Sequence, residues 1–194
     1  YYDPRNSFLN EVLDRRTGIP LSLSLVYMEV GRRLGLPVEG ISFPGHFLVK
    51  VPLEEGEVVL DPYHRGVSLS LEDLELRARH VFDSPRTLLE ALPTLLEAAP
   101  KRDILRRMVS NLKAIYAQGP DHPRLLAVID LLIALSPEDA SLYRERARCY
   151  EGVGHVRGAL EDYRRALALD PEAADAPEIR GRIQSLGGLP PRLH

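Results

Sequence analysis

The chain of 194 residues has no tryptophan and a single cysteine, Cys149. One cysteine cannot close an internal disulfide, so the fold must rest on packing, and a thiol of this kind suits a reducing compartment. No apolar run approaches the ~20 residues needed to cross a bilayer, and no basic-then-apolar opening reads as a secretory signal. These absences predict a cytoplasmic protein with no membrane segment. An excess of charge is missing too: 25 Lys and Arg stand against 28 Asp and Glu, for a net charge of -3. A whole-protein electrostatic reason to bind nucleic acid or an anionic membrane is therefore lacking. The first residues, Tyr1-Tyr2-Asp3-Pro4, include no initiator Met, and the expectation is a natural polypeptide that begins earlier.

What is present is ordinary for a globular protein: 44% hydrophobic and 27% charged residues, enough for one or two domains. Asn6 or Ser7 is placed to cap a short helix in which Phe8, Leu9, Val12 and Leu13 recur at helical spacing. Thr17 to Pro20 reads as a turn, with Gly18 free to take a positive φ. From Leu21 to Leu34, apolar residues cover most of the circumference, which predicts a helix buried on nearly every side. Gly35 and Pro37 stop it.

Short strands are predicted at Val38–Phe43, Gly45–Val51 and Glu57–Leu60, the last two joined by the Glu54-Glu55-Gly56 turn. A turn over Leu53–Gly56 sets Leu48 opposite Asp61 and His46 opposite Tyr63, so His46 and Asp61 share a face as diagonal neighbours. A slip of one residue would put them on opposite faces. Ser68 or Ser70 starts a helix at Leu71–Arg79. Pro93 interrupts the apolar stretch Leu88–Ala99, which predicts a short or broken helix.

A boundary is expected near Ala99-Pro100-Lys101, giving domains 1–99 and 100–194. Beyond it, Pro137 and Pro171 define a 34-residue period. In the second unit Tyr143, Ala147, Tyr150, Gly154, Ala159, Tyr163, Ala166 and Pro171 alternate large and small, so that two antiparallel helices can approach closely. This pattern resembles the tetratricopeptide repeat. The preceding unit matches in size class at Leu112, Tyr116, Leu125, Ile129, Leu132 and Pro137, with Lys113 where a small residue is expected. Ala173–Leu186 would be the capping helix.

The order of a central helix ending Arg32-Arg33-Leu34-Gly35-Leu36-Pro37, a His opening one strand and an Asp-Pro closing the next resembles the transglutaminase-like superfamily. Asn6-Ser7-Phe8-Leu9-Asn10-Glu11, Arg16-Thr17-Gly18-Ile19-Pro20-Leu21-Ser22, Phe43-Pro44-Gly45-His46-Phe47 and Leu60-Asp61-Pro62-Tyr63 resemble more closely the bacterial SirB1 family, in which such a domain precedes tetratricopeptide repeats. The resemblance implies an α+β N-terminal transglutaminase-like (papain-like) domain, with a buried central helix and a small antiparallel sheet, followed by an all-α repeat region.

It also implies a Cys-His-Asp site, in which a helix N-terminus activates the thiol and the Asp orients the His. His46 and Asp61 are the matching residues. Counting back from Gly35-Leu36-Pro37 puts Pro20 where the Cys should be. Ser22 is the nearest substitute nucleophile, and Cys149 belongs to the repeats. The leading expectation is thus a non-catalytic protein, a pseudoenzyme, that binds a protein or peptide partner through its repeats. The alternative is a hydrolase or acyl transferase using Ser22, His46 and Asp61.

Arg144 and Arg148 are expected on the concave face of the repeats, where they can clamp an acidic peptide end. The competing expectation is a solvated arginine face. His64 is close enough to join His46 and Asp61 as a metal ligand, but no His-x-x-x-His spacing marks such a site. No cofactor or metal is expected from the sequence.

Overall fold

The computed structural model describes residues 2–82 and 84–188. They form two compact units that divide between Met108 and Val109. The division falls inside a helix, α5 (Lys101–Tyr116), rather than ahead of it at Pro100. The first turns of α5 carry Ile104 and Met108 into a core shared with Ile19, Leu21 and Phe47, and so belong with the N-terminal unit.

The N-terminal unit opens with a 3₁₀ turn, Pro4–Asn6, followed by α1 (Leu9–Arg15) and α2 (Pro20–Arg33). The capping residue is not Asn6 or Ser7. Asp3 caps the 3₁₀ turn by accepting from the Arg5 N–H, and Phe8 precedes α1 with no side-chain cap. Pro4 is preorganised for a first helical position, so the chain turns earlier than expected and carries Asn6 and Ser7 into the interior. Gly18 does not take a positive φ; Arg16 does, at 53°. What position 18 requires is space, because a Cβ there would lie 2.6 Å from the Ser22 hydroxyl.

Burial of α2 is concentrated in its first turns, at Pro20, Leu21, Ser22 and Ser24. Further along, Tyr27 and Val30 are exposed, the latter by 51%. With Leu23, Val26, Leu34 and Leu36 they line an apolar groove that reaches Pro62.

Four strands follow in the order β1 (Glu39–Ile41), β2 (Leu48–Leu53), β3 (Gly56–Asp61) and β4 (Val67–Ser68), an antiparallel meander. The β2–β3 ladder pairs Leu53 with Gly56 and Val49 with Leu60. Extended by one step, that register sets Leu48 opposite Asp61, as the turn chemistry predicts. Strand β4 had no sequence signal, since two residues show no period.

Alternation along the chain buries Phe47 and Leu48 on opposite faces. Leu48 packs with Ile41, Phe43, Val59, Leu74, Ala78 and Leu88, whereas Phe47 packs with Ile19, Leu21 and Ile104. Each Val, Leu, Ile or Phe among them contributes about 1.5–3 kcal/mol of burial free energy. The first set joins the sheet to α3 (Leu71–Ala78) and α4 (Pro85–Leu95). Ser70 and Asp73 form a reciprocal cap at the start of α3. Pro93 does not break α4 in two; it lies two residues before the helix ends at Leu95, so little helix remains beyond it to be disrupted.

The C-terminal unit continues with α6 (His122–Leu135), α7 (Ala140–Gly152), α8 (Val156–Leu169) and α9 (Ala176–Gly187). The predicted small residues are where the helices meet: Ala147, Ala159, Tyr163 and Ile179 form one buried cluster. Tyr143 and Tyr163 satisfy their hydroxyls on Pro137 O (3.0 Å) and Glu151 (2.6 Å). Lys113, the misfit in the looser unit, finds its partner in Glu145 at 2.6 Å. Among the described residues no helix is long and apolar enough to cross a membrane.

Candidate functional site

Strand β3 delivers Asp61 to the interior, and Pro62 then starts a 3₁₀ turn, Pro62–His64. Asp61 is the cap of that turn, and its Oδ1 accepts from the backbone N–H groups of Tyr63 (3.0 Å) and His64 (3.3 Å). His46 Nε2 reaches the same oxygen at 3.0 Å. Oδ2 meets His64 Nδ1 at 2.6 Å and the Arg77 guanidinium of α3 at 3.0 Å. Asp61 is 0% exposed. Burial pushes its carboxyl upward, but the hydrogen bonds from His46 and His64 outweigh it and hold the pKa below the ordinary value. An ionised carboxylate only accepts, so both imidazoles donate to it through His46 Nε2 and His64 Nδ1.

The position of His46 is set from two sides. Gly45, at φ 69°, turns the chain ahead of it. Arg107, from α5, donates to His46 O (2.9 Å) and to the Ser42 hydroxyl (2.8 Å), with its guanidinium over the Phe47 ring at 5.5 Å. Arg77 and Arg107 are functional candidates that sequence reasoning missed. Each is one arginine among many on a helix surface, and only the tertiary fold sets it apart.

Ser22 is not brought to His46. Its hydroxyl, 1% exposed, donates to Asn6 O at 2.6 Å and accepts from the Ile19 N–H at 3.0 Å. It ties the N-terminal 3₁₀ turn to the start of α2. Pro20, which the sequence count set at the expected cysteine position, is buried at the first residue of that helix. The arrangement therefore supplies an oriented imidazole, while Pro20 has no nucleophilic atom and the Ser22 hydroxyl is committed to Asn6 and Ile19.

Arg144 and Arg148 do converge, but on Asp175: Arg144 at 2.8 Å and Arg148 at 3.4 Å, with Asp170 3.7 Å from Arg144. Beside them, Arg146 holds buried Asp162 through two 2.7 Å bonds and Asp130 through one of 2.6 Å, tying α6, α7 and α8 together. Burial and the acidic Glu145 nearby push the Cys149 thiol up, so it is not an activated nucleophile. Of the described residues, His46, Asp61 and His64 bring potential metal-ligating atoms within 4.8 Å of one another.

A hairpin that pairs His46 with Asp61, followed by stacked helix pairs, defines a class of protein, and the comparisons agree with it. The model of the transglutaminase-like superfamily matches residues 1–110, and a tetratricopeptide-repeat model matches residues 112–184. The chain belongs to the transglutaminase-like superfamily and carries tetratricopeptide repeats behind that domain. A UPF0162 protein of Xylella fastidiosa is 41% identical over 186 residues, which is 96% of this chain and 66% of the relative. A UPF0162 protein of Pseudomonas aeruginosa is 35% identical over 191 residues, 97% of this chain and 66% of the relative. The chain thus spans just under two thirds of the length of these relatives. F-box only protein 21 of mouse is 32% identical over 166 residues, 79% of this chain and 25% of that protein.

Proposed function

We propose that this protein is a non-catalytic member of its superfamily that works by binding a protein or peptide partner through its repeats. The observation that carries the reading is the Ser22 hydroxyl, which is spent on Asn6 and Ile19 and so is not available to the His46–Asp61 pair as an attacking group. A triad mechanism needs the nucleophile within hydrogen-bond reach of the base. The His46–Asp61 pair then serves the fold: it locks the two ends of the hairpin to each other and, through Arg77, to α3.

The repeats supply the complementary support. Their helix pairs are well packed, and Arg144 and Arg148 already grip one carboxylate, that of Asp175. An acidic peptide end has the same chemistry and would compete with Asp175 for that grip. Recurrence of this module as one quarter of a mouse protein named F-box only protein 21 fits a part that contributes to larger architectures.

The test is crosslink mapping of partners captured by the full chain from a lysate of the source organism. Crosslinks on residues 109–188 that weaken in Arg144→Gln and Arg148→Gln support the reading. Crosslinks confined to residues 1–108 contradict it.

A further inference from the structure

We propose that His46 Nε2, the Asp61 carboxylate and His64 Nδ1 together form a binding site for a divalent transition metal of the zinc class. Two imidazoles and one carboxylate are a donor set that suits zinc, iron and their neighbours, and three protein ligands leave further positions open. The donors are already gathered. The Asp61 oxygens lie 3.0 Å from His46 Nε2 and 2.6 Å from His64 Nδ1, and all three residues have ligating atoms within 4.8 Å of one another. Tetrahedral coordination with bonds near 2 Å separates ligand atoms by about 3.3 Å. Binding an ion would open the two His–Asp distances, of 3.0 and 2.6 Å, slightly.

The support around the carboxylate strengthens the case. Metal ligands are usually oriented by outer hydrogen bonds. Asp61 has three that do not involve an imidazole: the N–H groups of Tyr63 and His64, and the Arg77 guanidinium. An ion would replace only the two imidazole protons now lying against the carboxylate. His46 would carry its proton on Nδ1 and His64 on Nε2, each presenting a lone pair inward. The His64 side chain is 53% exposed, so the ion has a path from solvent. Arg77 opposes the ion's charge, which sets the expected affinity below that of a structural zinc site. The site is non-local, one ligand coming from the start of the hairpin and two from its end, so no spacing motif announces it.

The test is titration of the full chain with Zn(II) by calorimetry and with Co(II) by visible absorption. The expected result is one ion per chain, with Co(II) d–d bands of low-coordinate character. Affinity should fall at least about tenfold in His64→Ala, a substitution at an exposed residue, and stay unchanged in His155→Ala. On the unsubstituted protein, Zn(II) should shift the imidazole NMR signals of His46 and His64 before those of any other histidine. The proposal is overturned by no stoichiometric binding, by equal affinity in His64→Ala, or by zinc-induced shifts confined to other histidines.

Discussion

The Ser22 hydroxyl donates a 2.6 Å hydrogen bond to the carbonyl of Asn6, sixteen residues earlier, while accepting from the Ile19 N–H. A side chain used in this way is a fastener between two segments. Ser22→Ala should therefore lower stability by about 1–3 kcal/mol, the cost of leaving buried backbone groups unpaired, as read by urea unfolding.

Gly18 makes that fastener possible. A methyl at position 18 would sit 2.6 Å from Ser22 Oγ and 3.1 Å from Val12 Cγ1, and Gly18 does not have a positive φ that would itself require glycine. Gly18→Ala should destabilise by about 1–3 kcal/mol through overpacking. Adding it to Ser22→Ala should cost less than the sum of the two, because the principal clash is gone. A double-mutant cycle measures the difference.

Asp61 is the acceptor for groups from β2's approach, from its own turn and from α3. Replacing it by Asn removes the charge facing Arg77 and places an amide donor among donors. The predicted loss for Asp61→Asn is about 3–5 kcal/mol, whereas His64→Ala, at an exposed partner, should cost under about 1 kcal/mol. Chemical denaturation of the two variants side by side checks the ratio.

How much of this was legible in the sequence depended on whether the determinant was local. The hairpin register followed from a period of two and the short Glu54-Glu55-Gly56 turn, so a shared face for His46 and Asp61 could be expected from the sequence, with a one-residue slip as the alternative that the ladder excludes. The repeat was legible because Ala147, Ala159, Tyr163 and Ala166 are size requirements imposed at fixed spacing. Other features rest on tertiary contacts that leave no periodic trace. Arg77 and Arg107 look like any solvated arginine until the hairpin packs against α3 and α5. Nor did the apolar run of α2 reveal that Tyr27 and Val30 would face a groove, because hydrophobicity records an affinity for burial and not what does the burying.

Tyr163 gives the repeats a pH dependence of known sign. Burial, and next its hydrogen bond to Glu151, raise its phenol pKa above the ordinary value of 10.0. The contribution is complete below pH about 10, where the phenol is protonated in both folded and unfolded chains. As pH rises further, toward the raised folded value, the unfolded state releases the proton first and stability is lost. Tyr163→Phe should cost about 1 kcal/mol near neutrality and flatten the alkaline decline relative to the unsubstituted protein, measured by thermal unfolding across pH 9 to 11.

Asp175 occupies the arginine pair of α7. Asp175→Asn should free Arg144 and Arg148 and raise the affinity for a peptide with an acidic C-terminus several-fold, as measured by fluorescence anisotropy. Unchanged affinity, together with binding that survives Arg144→Gln, would show that the pair serves only to hold α9.

The central claim is that the His46–Asp61 pair serves the fold and not a reaction. Its most direct measurement is the turnover of activated esters, with and without amine acceptors, by the unsubstituted protein, Ser22→Ala and His46→Ala. The account predicts the same background rate for all three, with lowered stability in both variants. A rate above background that falls in His46→Ala while the variant remains folded would contradict it.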